Sequence, residues 1–389
     1  MKIAAVICEF NPFHNGHAAL AAMAREEGFD CVVGIMSGNY VQRGEPAIMP
    51  VTPRITTALK NGYDVIIRLP VSGSVSGAEG FARAGVYLAD SLGCVDSLFF
   101  ASECADTELL KKAASIIDSP ETDALIKTEL EKGVTYAAAR ESAVRSISPR
   151  CADALKEPNN ILGVEYIRAL NRIGSAVEPR AVKRLGPGHG DGIAEGSFAS
   201  ASEIRRRIFS GEEWEKFTPD DNGYGTLNLV DMHKYETAVL YKLRTASAEE
   251  LRSLPDVSEG LENRMLSAAQ NAVSLEEFYS LVKTKRYTRA RIRRAALCAL
   301  LGITAPDARE EPSYIRILGF NETGAQAVKA IKESASLPVM SKTADIKDFS
   351  ERAKKAFELE CRASDIYSLL LTEPLPCGEE RRFTVKKAL

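Results

Sequence analysis

Four short runs of buried-strand character, separated by helical segments, dominate the first hundred residues. Residues 3–8 (IAAVIC), 31–36 (CVVGIM), 64–69 (DVIIRL) and 97–101 (SLFFA) are mostly apolar and partly β-branched. Such runs suit strands covered on both faces, as in a parallel sheet. Residues 18–27, 54–60, 78–92 and 109–117 repeat their apolar positions with a helical period. Strand–helix alternation with short connections predicts a doubly wound α/β domain, a parallel sheet with helices on both faces. Two more helices are expected at 136–146 and 160–172, then a strand at 176–182.

The rest of the chain reads differently. Residues 211–228 mix charge with Pro219, Gly223 and Gly225, the pattern of an interdomain connection. Beyond it, 235–244, 261–272, 275–283 and 291–301 are helical in period, and a βαβ-like piece occupies 315–320, 325–334 and 337–341. The expected division is a Rossmann-like catalytic domain at 1–212 and a mainly helical domain with a small α/β insert at 213–389. A length of 389 residues accommodates two cores. With 50 basic against 53 acidic residues and 45% hydrophobic content, disorder and net polybasic character are excluded. No apolar run approaches the ~18 residues of a membrane helix. The opening apolar stretch stops at Glu9, too short for a secretory leader, and eight cysteines form no C-x-x-C pair. No membrane partner and a cytoplasmic location are expected.

Chemistry concentrates directly after the first strand, in Glu9-Phe10-Asn11-Pro12-Phe13-His14-Asn15-Gly16-His17. Ligands of open α/β sheets bind outside the carboxyl ends of strands. A helix begins at about His17, and a helix start offers free N–H groups and partial positive charge, so phosphate is the expected guest. Gly16 lets the backbone come close and Pro12 stiffens the turn. Two imidazoles three positions apart can both address one phosphate as charge develops there. Two surface histidines at a helix start is the plainer alternative. A metal pair lacks further ligands nearby.

His14-Asn15-Gly16-His17 resembles the H-x-G-H signature of the nucleotidyltransferase superfamily, and Ala199-Ser200-Ala201-Ser202-Glu203-Ile204-Arg205 resembles its late phosphate-binding motif. An ordinary helix start capped by Ser202 is the alternative for the second string. Three longer strings, 36–47, 158–163 and 283–289, together with 316–321, resemble the bacterial tRNA(Met) cytidine acetate ligase family, and matches run from residue 3 to about Tyr367.

The resemblance implies ATP-dependent activation of acetate to acetyl-adenylate. It then implies acetylation of the N4 amine of the wobble cytidine in elongator tRNA(Met). It assigns His14 and His17 to the α-phosphate. ATP would also meet Ile7, Cys8, Glu9, Phe10, Asn11, Pro12, Phe13, Asn15, Gly16 and Leu20. Arg184, Ser200, Ser202 and Arg205 would hold the outgoing pyrophosphate, while Ala101, Ser102 and Asn159 or Asn160 face the nucleoside. Ser37, Asn39, Gln42 and Arg43 would line the acyl or base pocket. Cys8 on its own reads as core filler. Magnesium is implied by the triphosphate, with no protein ligand evident. The same H-x-G-H turn would also serve an adenylyltransferase acting on a small phosphorylated metabolite, or survive as a vestige in an RNA-binding protein.

The RNA side rests on Lys283, Lys285, Arg286, Arg289, Arg291, Arg293 and Arg294, seven basic residues with no acid among them. As a helix, Arg286, Arg289 and Arg293 would share one face and contact a phosphate backbone; a solvated helix face is the alternative. Arg205-Arg206-Arg207 would extend that track. The segment 187–192, with His189, reads as a surface loop, or alternatively a lid. Three positions depart from the family pattern: 49–53 (MPVTP), Arg68 where the family carries Glu, and Ala101 where glycine is common. Arg68 would set a positive group beside the active face and alter substrate choice.

Overall fold

The computed structural model describes residues 1–186, 196–219 and 228–388. Ten strands follow in chain order: β1 (Ile3–Cys8), β2 (Cys31–Ser37), β3 (Tyr40–Val41), β4 (Glu45–Pro46), β5 (Val65–Leu69), β6 (Ser97–Ser102), β7 (Glu178–Lys183), β8 (Ile315–Asn321), β9 (Val339–Met340) and β10 (Lys386–Ala388). Strands β5-β2-β1-β6-β7 are neighbours in that order and pair in parallel. The two-residue period of a strand sends side chains to opposite faces. Ala4, Val6 and Cys8 therefore pack with Ala21, Ala24, Ile55 and Leu59 on one side. Ile3 and Ala5 pack with Phe81, Leu88, Val164 and Ile167 on the other. Helices Asn15–Glu26 and Val51–Lys60 cover the first face, while Ala78–Ser91, Thr107–Ile117 and Pro158–Ile173 cover the second. Each fully buried large apolar side chain contributes about 1.5–3 kcal/mol to holding these layers. The expected doubly wound layer is present, element for element.

The piece at 315–341 behaves differently from expectation. It is not a small insert within the helical half. β8 joins the main sheet antiparallel to β5, and β10 pairs in parallel with β8. The sheet order becomes β10-β8-β5-β2-β1-β6-β7, with β9 on the side of β8. Alone, β5 would leave a row of unpaired N–H and C=O groups at an edge; β8 satisfies it and buries Ile315, Ile317 and Leu318.

A second core forms between helices Met232–Thr245, Leu261–Asn271, Leu275–Val282, Arg289–Leu301 and Glu351–Leu370, around Tyr235, Met265, Phe278, Ile292 and Tyr367. The last of these helices has 20 residues and was not expected from the sequence. The β3–β4 hairpin wedges between sheet and helices. Tyr235 and Tyr367 donate their hydroxyls to Gly44 O (3.1 Å) and Ala47 O (2.8 Å). Gly44 has φ +79° and a Cβ there would lie 2.7 Å from the Arg294 amide nitrogen, so this close approach requires glycine. No helix among the described residues is long and apolar enough to cross a membrane.

Candidate active site

The turn after β1 is built from buried aromatics. Phe10 takes φ 50°, a left-handed conformation that costs an ordinary residue about 1–2 kcal/mol. Its buried ring is held by Phe13, His17 and Tyr63 at centroid distances of 4.9, 5.0 and 5.0 Å. Asn11 Oδ1 accepts the Ile48 amide (2.9 Å), anchoring the turn to the segment after β4.

His14 is the N-cap of helix Asn15–Glu26, and the two histidines close a reciprocal capping box. The Gly16 amide donates to His14 Nδ1 (3.1 Å), and the His14 amide donates to His17 Nδ1 (3.2 Å). A ring nitrogen that accepts an N–H carries no proton, so each neutral imidazole bears its proton on Nε2. Burial, then Arg184 and Arg205, lowers the His14 pKa to about 3; burial and His14 hold His17 well below its usual range. Both rings are neutral near pH 7 and stacked, with centroids 3.7 Å apart. The helix-start amides of Gly16, His17 and Ala18 are engaged within the turn. What the cleft receives is therefore mainly imidazole Nε2–H, not the row of free amides the sequence suggested.

Both imidazoles line a cleft with a volume of about 460 Å³ at the carboxyl ends of β1, β6 and β7. Its basic residues are Arg43, Lys183, Arg184 and Arg205, and Glu9 is its one carboxylate among the described residues. Arg205 donates to Asn11 O (2.7 Å) and to Ser202 Oγ (3.3 Å), which also accepts from Arg43 (3.1 Å). Burial lowers the Arg205 pKa, against the opposing pull of Glu45 and Glu9. Glu9 accepts the Gln42 amide (2.7 Å), and burial raises its pKa against that bond and the nearby Arg205 and Arg43. A positive surplus around two neutral donors suits a polyphosphate.

Of the expected ATP residues, Ile7, Cys8, Glu9, Phe10, Asn11, His14, Gly16, His17, Leu20, Ala101, Asn159, Arg184, Ser200, Ser202 and Arg205 line the cleft. Pro12, Phe13 and Asn15 do not. Phe13 packs under His17, and Asn15 donates to Ser197 O (2.8 Å) and Lys216 O (3.0 Å), tying the two motifs together. Ser102 and Asn160 are buried behind the wall, where Asn160 Oδ1 accepts the Ser102 hydroxyl (2.7 Å) and the Glu103 amide (3.0 Å). In the expected acyl pocket, Gln42 and Arg43 reach the cleft, whereas Ser37 and Asn39 are buried away from it and Asn39 bonds Ser364 (3.3 Å). The N-cap of helix Ala201–Ser210 is Ser200, not Ser202. That frees the Ser202 hydroxyl for the two arginines.

Sequence reasoning missed Lys183 and Arg54. Lys183 ends β7 on the cleft wall and donates to Glu103 O (2.8 Å). Arg54 is fully buried and donates to the carbonyls of Glu9 (2.8 Å), Ser37 (3.2 Å) and Gly38, stapling the ends of β1 and β2. Its signal was available: Val51, Arg54, Ile55 and Ala58 form the buried face of helix Val51–Lys60.

Arg68 does not face the cleft. It lies in a buried network with Glu360 (3.2 Å) and Glu380 (2.8 Å), and Arg316 reaches Glu380 (3.3 Å). The departure at 68 thus has its counter-charges on the C-terminal elements. The basic run is also corrected. Helix Arg289–Leu301 starts after Arg286, so the three arginines share no helix face. Carboxylates distant in sequence neutralise them: Glu259 for Arg286 (3.8 Å), Glu276 for Arg289 and Glu45 for Arg293 (3.0 Å). Arg206 and Arg207 are held by Glu203 and Glu212. The segment 187–192 with His189, and much of the 211–228 connection, lie outside the described residues.

The cleft and its paired imidazoles have known counterparts. Residues 1–381 match the family described as HIGH Nucleotidyl Transferase. The chain belongs to that family. It is 36% identical to the tRNA(Met) cytidine acetate ligase of Acetivibrio thermocellus, over 96% of each chain. It is 39% identical to the protein of that name from a Thermoanaerobacter species, over 95% of each. These relatives place it within the tRNA(Met) cytidine acetate ligase family. Two crystal structures of Thermotoga maritima TmcAL, apo and bound with alpha-thio ATP, superpose with TM-scores of 0.93 and 0.91 at 30% identity, covering 100% of this chain and 99% of theirs.

Proposed function

We propose that this chain is an ATP-dependent ligase that activates acetate and acetylates the N4 amine of the wobble cytidine of elongator tRNA(Met), acting in the cytoplasm. The pair of imidazoles fixed as Nε2–H donors in a positively biased cleft is the observation that carries the reading. ATP lies with its α-phosphate at His14 and His17 and its outer phosphates toward Arg184, Ser200, Ser202 and Arg205. An acetate oxygen attacks the α-phosphorus as the bond to the β-phosphate oxygen breaks. Acetyl-adenylate forms and pyrophosphate leaves. The two imidazoles meet the charge that grows on the equatorial oxygens, and a donor of this kind is worth about 10²–10³ in rate. The cytidine amine then attacks the acetyl carbonyl, releasing AMP and a proton. The nucleoside rests against Ala101 and Asn159, and the acetyl group toward Gln42 and Arg43.

Glu9 is the only carboxylate on the lining, and no three metal-ligating side chains come together among the described residues. The protein's donor set does not fit a resident magnesium ion; magnesium enters with the nucleotide. Residues 1–212 supply the nucleotide chemistry and 213–389 contribute to RNA binding, with β8 and β10 of the second part completing the sheet of the first.

The test is transfer of labelled acetate, with ATP and magnesium, into an unmodified elongator tRNA(Met) transcript, followed by mass spectrometry of the nucleosides. Acetylcytidine at the wobble position is expected. No label, from protein that still binds ATP, overturns the substrate assignment.

A further inference from the structure

Next to the active-site cleft runs a second, larger groove, with a volume of about 840 Å³, between the two halves of the molecule. One wall comes from helices Ala78–Ser91 and Pro158–Ile173 over the sheet, the other from the 255–258 turn and helices Arg289–Leu301 and Ala305–Arg309. Ala78 and Ile161 line both cavities, so the groove and the cleft adjoin there. Arg83, Arg140, Arg172, Arg291, Arg294 and Arg309 line it, against only Glu79, Glu165 and Asp256. That surplus stands out on a chain whose net charge is −3.

The carboxylates present do not use up the guanidinium groups. Asp256 serves two arginines, receiving Arg291 at its carbonyl (2.7 Å) and facing Arg294 at 3.7 Å. Glu165 is already held by Arg168 (2.7 Å) and meets Arg140 only at 3.9 Å. Arg172 is paired with Glu79 (2.5 Å) and Arg83 with Glu311 (3.4 Å), but Arg291 and Arg309 have no ion-pair partner among the described residues, and the buried Nε of Arg294 has no hydrogen-bond acceptor. By contrast, Arg286, Arg289 and Arg293 on the sequence-predicted track each face a carboxylate of their own.

Resting on the ligase reading, we propose that this groove seats the sugar-phosphate backbone of the RNA loop flanking the acceptor cytidine. The base turns past Ala78 and Ile161, the residues common to both cavities, into the cleft. Planar guanidinium forks suit phosphate oxygens, and arginines spread along both walls suit a ligand with regularly spaced charges. A compact anion such as pyrophosphate would engage only one end.

The experiment measures binding of elongator tRNA(Met) transcript across a salt series for the full chain and for the triple variant Arg140→Gln, Arg172→Gln, Arg309→Gln. These three sites lie on the groove and outside the cleft lining. The variant should weaken tRNA binding about tenfold or more and flatten the salt slope by about 2, at ~0.7 per phosphate contact. ATP affinity and melting temperature serve as fold controls, and the matching triple Lys variant should recover most of the affinity. Unchanged tRNA affinity and slope would overturn the groove assignment. So would loss confined to a Lys283→Gln, Lys285→Gln variant, which would put the RNA on the outer track instead. Wild-type protein that binds no tRNA would overturn the groove and the ligase reading together; wild-type binding with an unaffected triple variant sinks the groove alone.

Discussion

Replacing His14 with asparagine separates two jobs that the structure assigns to two nitrogens of one ring. Nδ1 caps the helix by accepting the Gly16 amide at 3.1 Å, and Nε2 bears the proton offered to phosphate. Asparagine is among the best N-caps, so Oδ1 can take over the Gly16 bond at a cost within about 0.5 kcal/mol. It has nothing at the Nε2 position, so the rate should fall about 10²–10³-fold, or about 2.7–4 kcal/mol of transition-state stabilisation. Glutamine inverts the experiment. Its terminal amide reaches toward the Nε2 site while the cap is lost, costing about 1 kcal/mol of stability with a smaller loss of rate. The assay is acetate-dependent exchange of pyrophosphate into ATP without tRNA, which isolates the first half-reaction, alongside denaturant unfolding of each variant. His14→Asn activity within threefold of wild type would refute the donor role of Nε2. A large stability loss in His14→Asn, with none in His14→Gln, would refute the cap.

Three further outcomes follow from the same geometry. Arg205→Lys should raise the KM for ATP at least tenfold, because one ammonium cannot hold Asn11 O and Ser202 Oγ and still present a fork to the outer phosphates; an unchanged KM counts against the phosphate role. Arg68→Met leaves Glu360 buried without its counter-charge and Glu380 with Arg316 alone, and should cost about 3–5 kcal/mol in stability while the KM for ATP of the folded protein holds; a KM shift without a stability loss would return Arg68 to the active face. The imidazoles make the apo protein acid-sensitive. His14 titrates at about 3 when folded, so the unfolded chain binds the extra proton between its ordinary value of about 6.5 and that point. Stability contributed by this neutral ring is present above pH 6.5 and lost as pH falls toward 3, by up to about 1.4 kcal/mol per pH unit. Unfolding curves from pH 7 to 4 should be less steep in pH for His14→Asn, and parallel slopes would refute the assignment.

What the sequence made legible was local. β1, β2, β5, β6 and β7, the turn between β1 and its helix, and the imidazole pair are set by short-range patterns: apolar runs, periodicity, and a cap three residues from its partner. What it hid depends on pairing between distant residues. Nothing within 315–341 says that β8 will pair antiparallel with β5, because that choice is made by the open edge of β5 some 250 residues earlier. Four of the seven basic residues of 283–294, Arg286, Arg289, Arg293 and Arg294, looked unopposed because Glu259, Glu276, Glu45 and Asp256 are brought to them only by folding. Ser37 and Asn39 were misplaced for a related reason: side chains beyond a strand end follow the hairpin's path, and Tyr40 against Tyr367 of a distant helix fixes that path.

The hairpin also explains why a nucleotide site and an RNA surface would share one chain. Gln42 and Arg43 line the cleft. Two residues on, Glu45 binds Arg293, and Gly44 rests against the backbone of Arg293 and Arg294, of which Arg294 lines the arginine groove. Arg54, by gripping Glu9, Ser37 and Gly38, fixes the root of the hairpin to the strand ends that carry the histidine turn. A shift of helix Arg289–Leu301 under bound RNA would therefore be felt at Arg43 through two packed residues and an ion pair. The short contacts at Gly44 leave that connection little slack.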